Sequence, residues 1–428
     1  MGNDNLKNVV QTGNIVTFLY KDKTVRADIN SGKVEQNDKV DVWDGKSASS
    51  SLEGKGTEQE PYLIKSGNDL QYINNQVAGK ANITGTNADN TKNGENIIAN
   101  SAYYRLETNI KMNDITNFEK WNDTDFDKSS LNKWTPIGKE PGNALSFFGT
   151  FDGNGYEISG LYVEENGELD CGFIAALYGE NACIQNLKIT NSLVIAKSIV
   201  GGIAGECTDG KIKNCYFSGC VQGTSSDVGG IVGSCYNSKM EEKISGCIND
   251  GKIQGNFNVG GIVGQASKNI IYNCTNNGTI LGTSKTAGIT GEANNEIIKS
   301  CINNGNIEGM EDTSTYSYFA GIIGSAYNVS VEECENNGNI SFAKMDNTFY
   351  QIGTIIGDLS VSKDNIILNN LINNGNVTTG NQAQLGQIVG AIYCRNGEKV
   401  KITNITNNGT VKFENGNIPE NIGVLEEE

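Results

Sequence analysis

Histidine is absent from this sequence of 428 residues. An imidazole side chain is the general base of Ser-His-Asp and Cys-His catalysis and a usual ligand of catalytic zinc. Zincin motifs and these two forms of nucleophilic catalysis are therefore excluded. Catalysis by carboxylate, lysine or arginine side chains stays open.

Proline (4 residues) and tryptophan (3 residues) are scarce, and no long segment keeps a 3.6-residue apolar period between helix caps. Long amphipathic helices are therefore not expected. Instead, 53 glycines and frequent asparagines separate short apolar stretches, which is typical of many short strands joined by tight turns. The composition predicts an all-β chain.

Positive charge is also scarce, because 33 lysine and arginine residues stand against 50 aspartate and glutamate residues and leave a formal net charge of −17. Such a chain repels phosphate backbones and anionic lipids, so we expect neither nucleic acid nor membrane as a partner. No apolar run is long enough for a membrane-spanning helix. The first residues, MGNDNLKNVV, lack the basic and apolar regions of a signal peptide. We expect an extracellular, cell-surface protein whose signal peptide has been removed.

One pentapeptide, GGIVG, returns in variants at intervals of 27 to 33 residues. These anchors begin at Cys171, Gly201, Gly229, Gly260, Ala287, Ala320, Gly353 and Gly386. A period of this size is typical of solenoids and propellers, in which each unit packs on its neighbours.

A second motif, I-x-x-C followed by N-N-G, lies inside each unit, as in IIYNCTNNGTI from Ile270 to Ile280. With the anchor it gives three short apolar stretches per unit. This pattern predicts a right-handed parallel β-helix, a three-sided solenoid in which each unit forms one coil. A propeller would need N-N-G to be a hairpin turn and would need longer units, while leucine-rich repeats would need L-x-x-L-x-L.

Five cysteines share one position of this motif, and other units have leucine or isoleucine there. They are Cys215, Cys247, Cys274, Cys301 and Cys334. A metal site, disulfides or a buried stack of thiols would each fit such a column. In-register strands point neighbouring Cβ atoms the same way, and the sequence has no CxxC pair. We therefore predict a buried thiol stack, and we predict burial for Cys207 and Cys235, which share a column with alanines.

Asparagine recurs two residues after the cysteine position, at Asn249, Asn276, Asn303, Asn336, Asn373 and Asn407. An inward asparagine at a corner can bond turn backbone and the asparagine of the next coil. We predict a structural ladder rather than a ligand site. We also predict that the glycine two residues after each of these asparagines, such as Gly251, supplies a positive φ.

No catalytic, cofactor-binding or metal-binding residue is predicted. A glycosidase needs two acids about 5 to 9.5 Å apart, which means one outward column in adjacent or next-adjacent coils. Glu206 and Glu292 share such a column but lie three coils apart, with Ser234 and Gln265 between them. We expect no closer acid pair in the regular coils.

Two further motifs favour loops over ligand sites. Asp123, Asp125 and Asp127 have the spacing of a calcium loop but lack its glycine and final glutamate, so we predict a solvated loop. The segment GTFDGNGYEI, from Gly149 to Ile158, has the glycines of a phosphate-binding loop, but no helix follows it. It predicts a turn between strands.

Unit length varies mainly in the corner before each anchor, as in EGMEDTSTYSYFAG (Glu308–Gly321) against LGTSKTAG (Leu281–Gly288). Insertions confined to one corner lie on one face of a solenoid. We predict that any recognition surface lies there.

The chain is divided into three predicted regions. Residues 1–42 form an N-terminal β segment or the remnant of an upstream module. Residues 43–160 form a cap and the first irregular coils, with a helix over Ser66 to Lys80 that Ser66 caps, that buries Leu70, Ile73 and Val77, and that Gly79 ends. Residues 161–428 form the regular coils and a C-terminal tail.

The chain also resembles a known group of secreted bacterial β-helix proteins. The similar segments are WDG at 43–45, GKGTEQEPYLI at 54–64, YYRLETNIKM at 103–112, WTPIG at 134–138, GTFDGNGYEISGL at 149–161 and the G-[GA]-I-x-G anchors. The anchors resemble the GLUG motif, which also occurs in the β-helical region of immunoglobulin A-cleaving metalloproteases. The protease's zinc motif has no counterpart in this histidine-free chain.

This resemblance implies a surface-displayed stalk, adhesin or substrate-docking module with covalently linked flanking domains. We hypothesise a non-catalytic binding or spacer module that needs no cofactor and whose partner is a host glycan, a host protein or a cell-wall component. The alternative is a carbohydrate-active enzyme, either a polysaccharide lyase or a glycosidase, on a β-helix.

Overall fold

The computed structural model describes residues 6–12, 15–20, 23–30, 32, 34–37, 41–78, 98–138, 146–167, 170–310, 316–342, 349–379, 383–395 and 397–427. The first four strands form an antiparallel sheet of their own in the order β1-β2-β3-β4. They are Leu6–Thr12 (β1), Ile15–Tyr20 (β2), Lys23–Asp28 (β3) and Val34–Asn37 (β4). The boundaries predicted at residues 42 and 160 stay predictions.

A capping region with short strands and helices follows. Its strands are Tyr62–Ile64 (β5), Tyr103–Leu106 (β6), Ile110–Lys111 (β7), Thr150–Asp152 (β8), Glu157–Ser159 (β9) and Tyr162–Glu164 (β10). Its helices are Gly67–Ala78 (α1), Ile98–Ser101 (α2) and the 3₁₀ turns Phe118–Lys120 and Lys128–Ser130.

The coils themselves contain four sets of strands. The strands that lead into the anchor are Val200–Gly201 (β14), Ser226–Gly229 (β18), Phe257–Gly260 (β22), Ser284–Ala287 (β26), Tyr316–Ala320 (β31), Phe349–Gly353 (β36) and Gln384–Gly386 (β40). The strands that leave the anchor are Ile174–Tyr178 (β11), Ala204–Thr208 (β15), Val232–Ser245 (β19), Val263–Tyr272 (β23), Thr290–Asn294 (β27), Ile323–Tyr327 (β32), Ile356–Val361 (β37), Val389–Cys394 (β41) and Ile422–Glu427 (β44).

The other two sets flank the cysteine and asparagine columns. Around these columns lie Cys183–Gln185 (β12), Lys188–Ala196 (β13), Lys211–Lys213 (β16), Tyr216–Gly223 (β17), Ile248–Asn249 (β20), Thr275–Asn276 (β24), Ile297–Lys299 (β28), Ile302–Asn303 (β29), Ser330–Glu332 (β33), Glu335–Asn336 (β34), Ile366–Asn373 (β38) and Val400–Asn407 (β42). After N-N-G lie Lys252–Gln254 (β21), Ile280–Gly282 (β25), Ile307–Gly309 (β30), Ile340–Phe342 (β35), Val377–Thr379 (β39) and Val411–Phe413 (β43).

Each coil strand pairs with the equivalent strand one repeat later. The N-N-G strands show this register, since Ile253 lies opposite Ile280, Ile280 opposite Ile307, and Ile307 opposite Ile340. Between β10 and β44 every pairing of described strands is parallel, whereas propeller blades would be antiparallel. The predicted parallel β-helix is confirmed.

Helix α1 covers the N-terminal end of the core. Ser66 caps it, because its hydroxyl accepts a bond from the Asp69 N–H at 3.3 Å, and the Asp69 carboxylate accepts one in turn from the Lys65 N–H at 2.8 Å. The apolar face of the helix, with Leu70 at its centre, is fully buried. The helix is confirmed as predicted, except that Gly79 lies outside the described residues.

The two glycines of the anchor are required by close approach. A Cβ on the first, Gly229, would lie 2.0 Å from the Val232 carbonyl oxygen. A Cβ on the second, Gly230, would lie 2.6 Å from Cγ of Asn249, a member of the asparagine column. The anchor therefore makes a tight corner and leaves room for the asparagines inside it.

The glycine after each N-N pair has another role than the predicted one. None of these glycines has a positive φ, so that prediction is wrong. They recur at the same position of successive coils because the backbones of neighbouring coils touch there. A Cβ on Gly278 would lie 1.8 Å from the Gly251 carbonyl oxygen. The positive φ lies one residue before the cysteine position, at Asn186, Asn214, Gly246, Asn273, Ser300, Glu333, Asn370 and Asn404. Asparagine predominates there because it tolerates this conformation better than most residues.

Not every length change lies before the anchor. Strand β19 shifts register between Tyr236 and Glu241, so that extra residues protrude there after the anchor, with Met240 exposed. The expectation of a single variable corner is therefore too narrow.

Candidate binding groove

Three outward columns of side chains run side by side along the coils, next to the anchor. The corner column, just before the anchor, contains Asp170, Ile199, Asp227, Asn258, Lys285, Tyr318, Gln351 and Gln384. The middle column, just after it, contains Ala176, Glu206, Ser234, Gln265, Glu292, Ser325, Asp358 and Ala391. The outer column, two residues further on, contains Tyr178, Thr208, Tyr236, Ser267, Asn294, Tyr327, Ser360 and Tyr393.

Together, these three columns line one face of the solenoid, which we call the groove. Their side chains point away from the core, yet Asp170 is only 4% exposed, Gln351 7%, Asp358 8% and Asp227 9%. The two walls nearly touch at the floor, where a Cβ on Gly264 would lie 2.5 Å from the Val228 nitrogen. Outward side chains are covered here because the wall before the anchor folds against the wall after it.

Hydrogen bonds and one ion pair join the columns in the middle of the groove. Lys285 Nζ lies 2.9 Å from Glu292 Oε1 across the corner. Gln265 donates to Glu292 Oε2 at 3.2 Å, and the Tyr236 hydroxyl donates to Gln265 Oε1 at 2.5 Å. The Glu292 carboxylate is thus fixed by a cation and an amide.

One end of the groove is acidic. Burial, followed by the charges of Glu206 and Asp227, raises the pKa of Asp170 to about 7. Burial also raises the pKa of Asp227, although Asn258 donates to that carboxylate at 2.7 Å and opposes the shift. Oδ2 of Asp170 is buried and has no hydrogen-bond partner.

The other end is built from amides and a phenol. Gln351 Nε2 donates to Gln384 Oε1 and to the Tyr393 hydroxyl oxygen, both at 2.6 Å. The remaining atom of the amide, Gln351 Oε1, is buried without a partner. In the same coil as Gln351, burial raises the pKa of Asp358 to about 7, against the charge of Lys285 and a hydrogen bond with Ser325.

The carboxylate columns follow the predicted register and extend beyond it. Glu206 and Glu292 lie three coils apart with Ser234 and Gln265 between them, as predicted. The same column continues through Ser325 to Asp358. The expectation that no acid pair occupies next-adjacent coils is therefore wrong, because Glu292 and Asp358 do so.

The predicted recognition corner contributes to this groove. Part of Glu308–Gly321, residues 311–315, lies outside the described residues. The described corners supply the corner column, including Asp227, Asn258 and Lys285. Sequence reasoning found four members of the middle column, from Glu206 to Glu292, but missed its continuation to Asp358 and the whole outer column, whose only signal is polar residues at alternate positions after each anchor.

The five column cysteines are buried and unbridged, which confirms the thiol stack. Burial raises the pKa of the Cys215, Cys274 and Cys334 thiols, which disfavours their reactive thiolate form. Cys207 and Cys235 are buried in register with each other, and Cys235 with Ala266, as predicted.

The asparagine column is a continuous ladder. Asn249 donates to Asn276 at 2.7 Å, Asn276 donates to Asn303 at 2.8 Å, and the bonds continue through Asn336 and Asn373 to Asn407. Each Nδ2 also donates to the carbonyl two residues later, such as Gly305 for Asn303 at 2.9 Å. The hydrogen bonds of these inward side chains go to one another and to turn backbone, and at the end of the ladder Asn407 also donates to Gln387 Oε1 at 3.0 Å.

The two remaining motifs are loops. Asp123, Asp125 and Asp127 are exposed, and Asp127 accepts a bond from the Ser129 N–H at 3.0 Å. Nowhere in the described ranges do three potential metal ligands come together. The glycine-rich segment turns between β8 and β9, where the Asp152 carboxylate accepts a bond from the Asn154 N–H at 2.8 Å.

Comparison with known proteins supports the repeat assignment. The family model of the GLUG motif matches residues 255–281, one full repeat around the anchor at Gly260. The resemblance of the anchors to this motif is confirmed. No helix in the described parts of the chain is long and apolar enough to cross a membrane.

Two curated relatives match part of the chain. Halomucin from Haloquadratum walsbyi is 30% identical over 180 residues, which are 42% of this chain and 2% of halomucin. A protein described as a Gly-rich membrane protein, from Evansella cellulosilytica, is 26% identical over 155 residues, which are 36% of this chain and 14% of that protein. The chain thus spans a small part of either relative. Among solved structures, a protein described as an immunoglobulin A1 protease from Bacteroides ovatus is similar over 82% of this chain and 86% of that chain, with 15% identity and a TM-score of 0.45.

Proposed function

We propose that this chain is a secreted or cell-surface binding and spacer module without catalytic activity of its own, and that the groove binds a glycan of a host or of a cell wall. One observation carries the proposal. The inward columns repeat the same residues from coil to coil, whereas the groove presents a different polar residue at nearly every coil while keeping the register.

The chemistry of the groove supports a glycan. Carboxylates, amides and tyrosine hydroxyls are the groups that bind polyhydroxylated ligands through many directed hydrogen bonds. Tyr236, Tyr327 and Tyr393 add ring surface along the same wall. The two relatives support a location at the cell surface, because one is named halomucin and the other is described as a membrane protein. Neither name is that of an enzyme.

A glycan array tests this proposal. Wild type, a groove variant (Glu292→Gln with Gln351→Ala) and a control variant at an exposed acid outside the groove (Glu414→Gln) would be labelled and compared. We expect the wild type and the control to bind the same glycans and the groove variant to lose them. Equal binding by all three would place recognition elsewhere on the chain, and binding of host proteins but no glycan would favour a protein partner.

Glycoside hydrolysis is the second candidate function, and the Glu292–Asp358 pair is the observation that favours it. Asp358 lies two coils after Glu292, with the coil of Ser325 between them, which corresponds to about 9.6 Å along the axis at the usual strand spacing. That separation is marginally above the upper limit, about 9.5 Å, for inverting glycosidases, in which one acid is protonated and the other activates water.

A reducing-sugar assay separates the two functions. Wild type, Glu292→Gln and Asp358→Asn would be incubated with the glycans that bind on the array. Binding without sugar release supports the module. Release that is lost in both variants would establish hydrolysis instead.

A further inference from the structure

We propose that the groove binds a linear polysaccharide that carries free amino groups, and that this chain lies along the solenoid axis rather than along a strand. This inference rests on the proposed glycan binding and adds the class of ligand and its direction.

The direction follows from the geometry of the three columns. From the coil of Asp170 to the coil of Gln384 there are seven steps, which is about 34 Å at the usual strand spacing. Across the strands, by contrast, the groove is three columns wide and closed at its floor by glycines such as Gly264. A long ligand therefore meets new contacts at each coil only if it runs parallel to the axis.

The sign of the ligand's charge follows from the side chains. The columns hold five carboxyl groups, on Asp170, Glu206, Asp227, Glu292 and Asp358. Their one cation is Lys285, which is already paired with Glu292. Polyanions such as polyuronates would be repelled from this poorly solvated surface, while ammonium groups would be attracted.

Two buried atoms point to a ligand that donates hydrogen bonds. Asp170 Oδ2 and Gln351 Oε1 lie near opposite ends of the groove, and each is an acceptor without a partner on a side chain more than nine-tenths buried. An unpaired buried acceptor is costly, and in a native structure it calls for an explanation. Ammonium and hydroxyl groups both supply the missing donors, and the ammonium also neutralises the acidic end.

Isothermal titration with defined oligosaccharides tests both parts. The probes are glucosamine oligomers, N-acetylglucosamine oligomers and galacturonate oligomers of two, four, six and eight sugars. The titrations are run at about pH 7, because a lower pH would protonate the Asp170 carboxyl, whose pKa is about 7. We expect the glucosamine hexamer to bind about tenfold more tightly than its acetylated counterpart, the galacturonates not to bind, and affinity to rise with length until the groove is filled.

Variants at the two ends locate the ligand. Asp170→Asn should remove the preference for the amine, so that the glucosamine and N-acetylglucosamine oligomers bind this variant with equal affinity. Gln384→Ala should weaken the octamer about as much for either sugar, and Glu414→Gln should change nothing.

Each contrary result has a distinct meaning. Equal affinity for glucosamine and N-acetylglucosamine oligomers would contradict the proposal that the ligand carries free amino groups. A dimer that binds as tightly as the octamer would contradict the proposal that the ligand lies along the axis. A lysine-rich peptide that binds more tightly than any glucosamine oligomer would replace the polysaccharide by a polypeptide. If no oligosaccharide of any kind binds, the proposed function itself fails, and this inference fails with it.

Discussion

The asparagine ladder and the groove cross the same coils in the same register, and they treat repetition in opposite ways. In the ladder, one residue type returns in six coils, and each side chain satisfies the next, as Asn276 does with Asn303. In the groove, the middle column changes from glutamate to serine to glutamine and back to glutamate, and nearby acceptors stay unpaired. Identical neighbours satisfy one another and build a scaffold, whereas a column of different residues leaves groups for a ligand.

The largest expected effect on stability comes from a side chain that fills the space between two coils of the scaffold. In Gly305→Ala, the added Cβ would lie 1.9 Å from the Gly278 carbonyl oxygen, so backbones on both sides must move. We expect a loss of more than about 3 kcal/mol in the free energy of unfolding, measured by urea denaturation. Gly167→Ala is the control, because its Cβ meets nothing within 4 Å. Equal stability of the two variants would show that the coils are not packed at this spacing.

A second test uses two adjacent asparagines that face opposite ways. Asn303→Ala removes the acceptor of Asn276 and the donor to Asn336 inside the core, so we expect a loss of about 2 to 3 kcal/mol. Asn304→Ala removes exposed bonds between outward asparagines, so we expect less than about 1 kcal/mol. A shift in urea midpoint that is equal for both would contradict the structural role of the inward ladder.

A third test concerns the cost of burying Asp358. Because its pKa of about 7 in the folded protein is above the ordinary value of 3.8, the folded state binds more protons than the unfolded state between those pH values. The contribution of Asp358 to the stability of the wild type therefore falls as pH rises from about 4 to about 7. We expect Asp358→Asn to melt at a higher temperature than wild type at pH 8, with the difference shrinking toward pH 4. A difference that is constant over this range would show that Asp358 does not titrate as the structure implies.

The smallest expected effect on stability is that of a substitution in the groove, which should affect binding instead. Glu292→Gln removes the partly exposed ion pair with Lys285, so we expect a change of less than about 1 kcal/mol in stability. The same variant should lose most of its glycan affinity in a titration. A large destabilisation without a loss of binding would assign Glu292 to the scaffold.

The scaffold was predictable because it repeats. The spacing of the anchors and of I-x-x-C defined the coils, and the columns of Cys274 and Asn276 could be aligned from the sequence alone. The φ of Gly278 was not predictable in this way, since a glycine needed for contact between coils and a glycine needed for a left-handed turn have the same sequence pattern.

The groove was only half predictable. Its corner column lies at the place where sequence variation indicated recognition, but its depth depends on how closely two walls approach at Gly264, which no spacing reports. The acid pair of Glu292 and Asp358 was missed although its register continues unchanged through Ser325. Residues that differ in each unit give no periodic signal.

The parallel pairing of every coil with the next has a mechanical consequence. The bonds between coils run along the axis, so a force that pulls the two ends apart loads the inter-coil junctions in series, and the coil at an end is held by a neighbour on one side alone. The terminal coil should peel away first and leave the next junction unchanged. Stretching a single molecule should therefore give a series of similar low-force steps, each releasing a length of chain that corresponds to one repeat. The solenoid would extend coil by coil under tension before all of it unfolded.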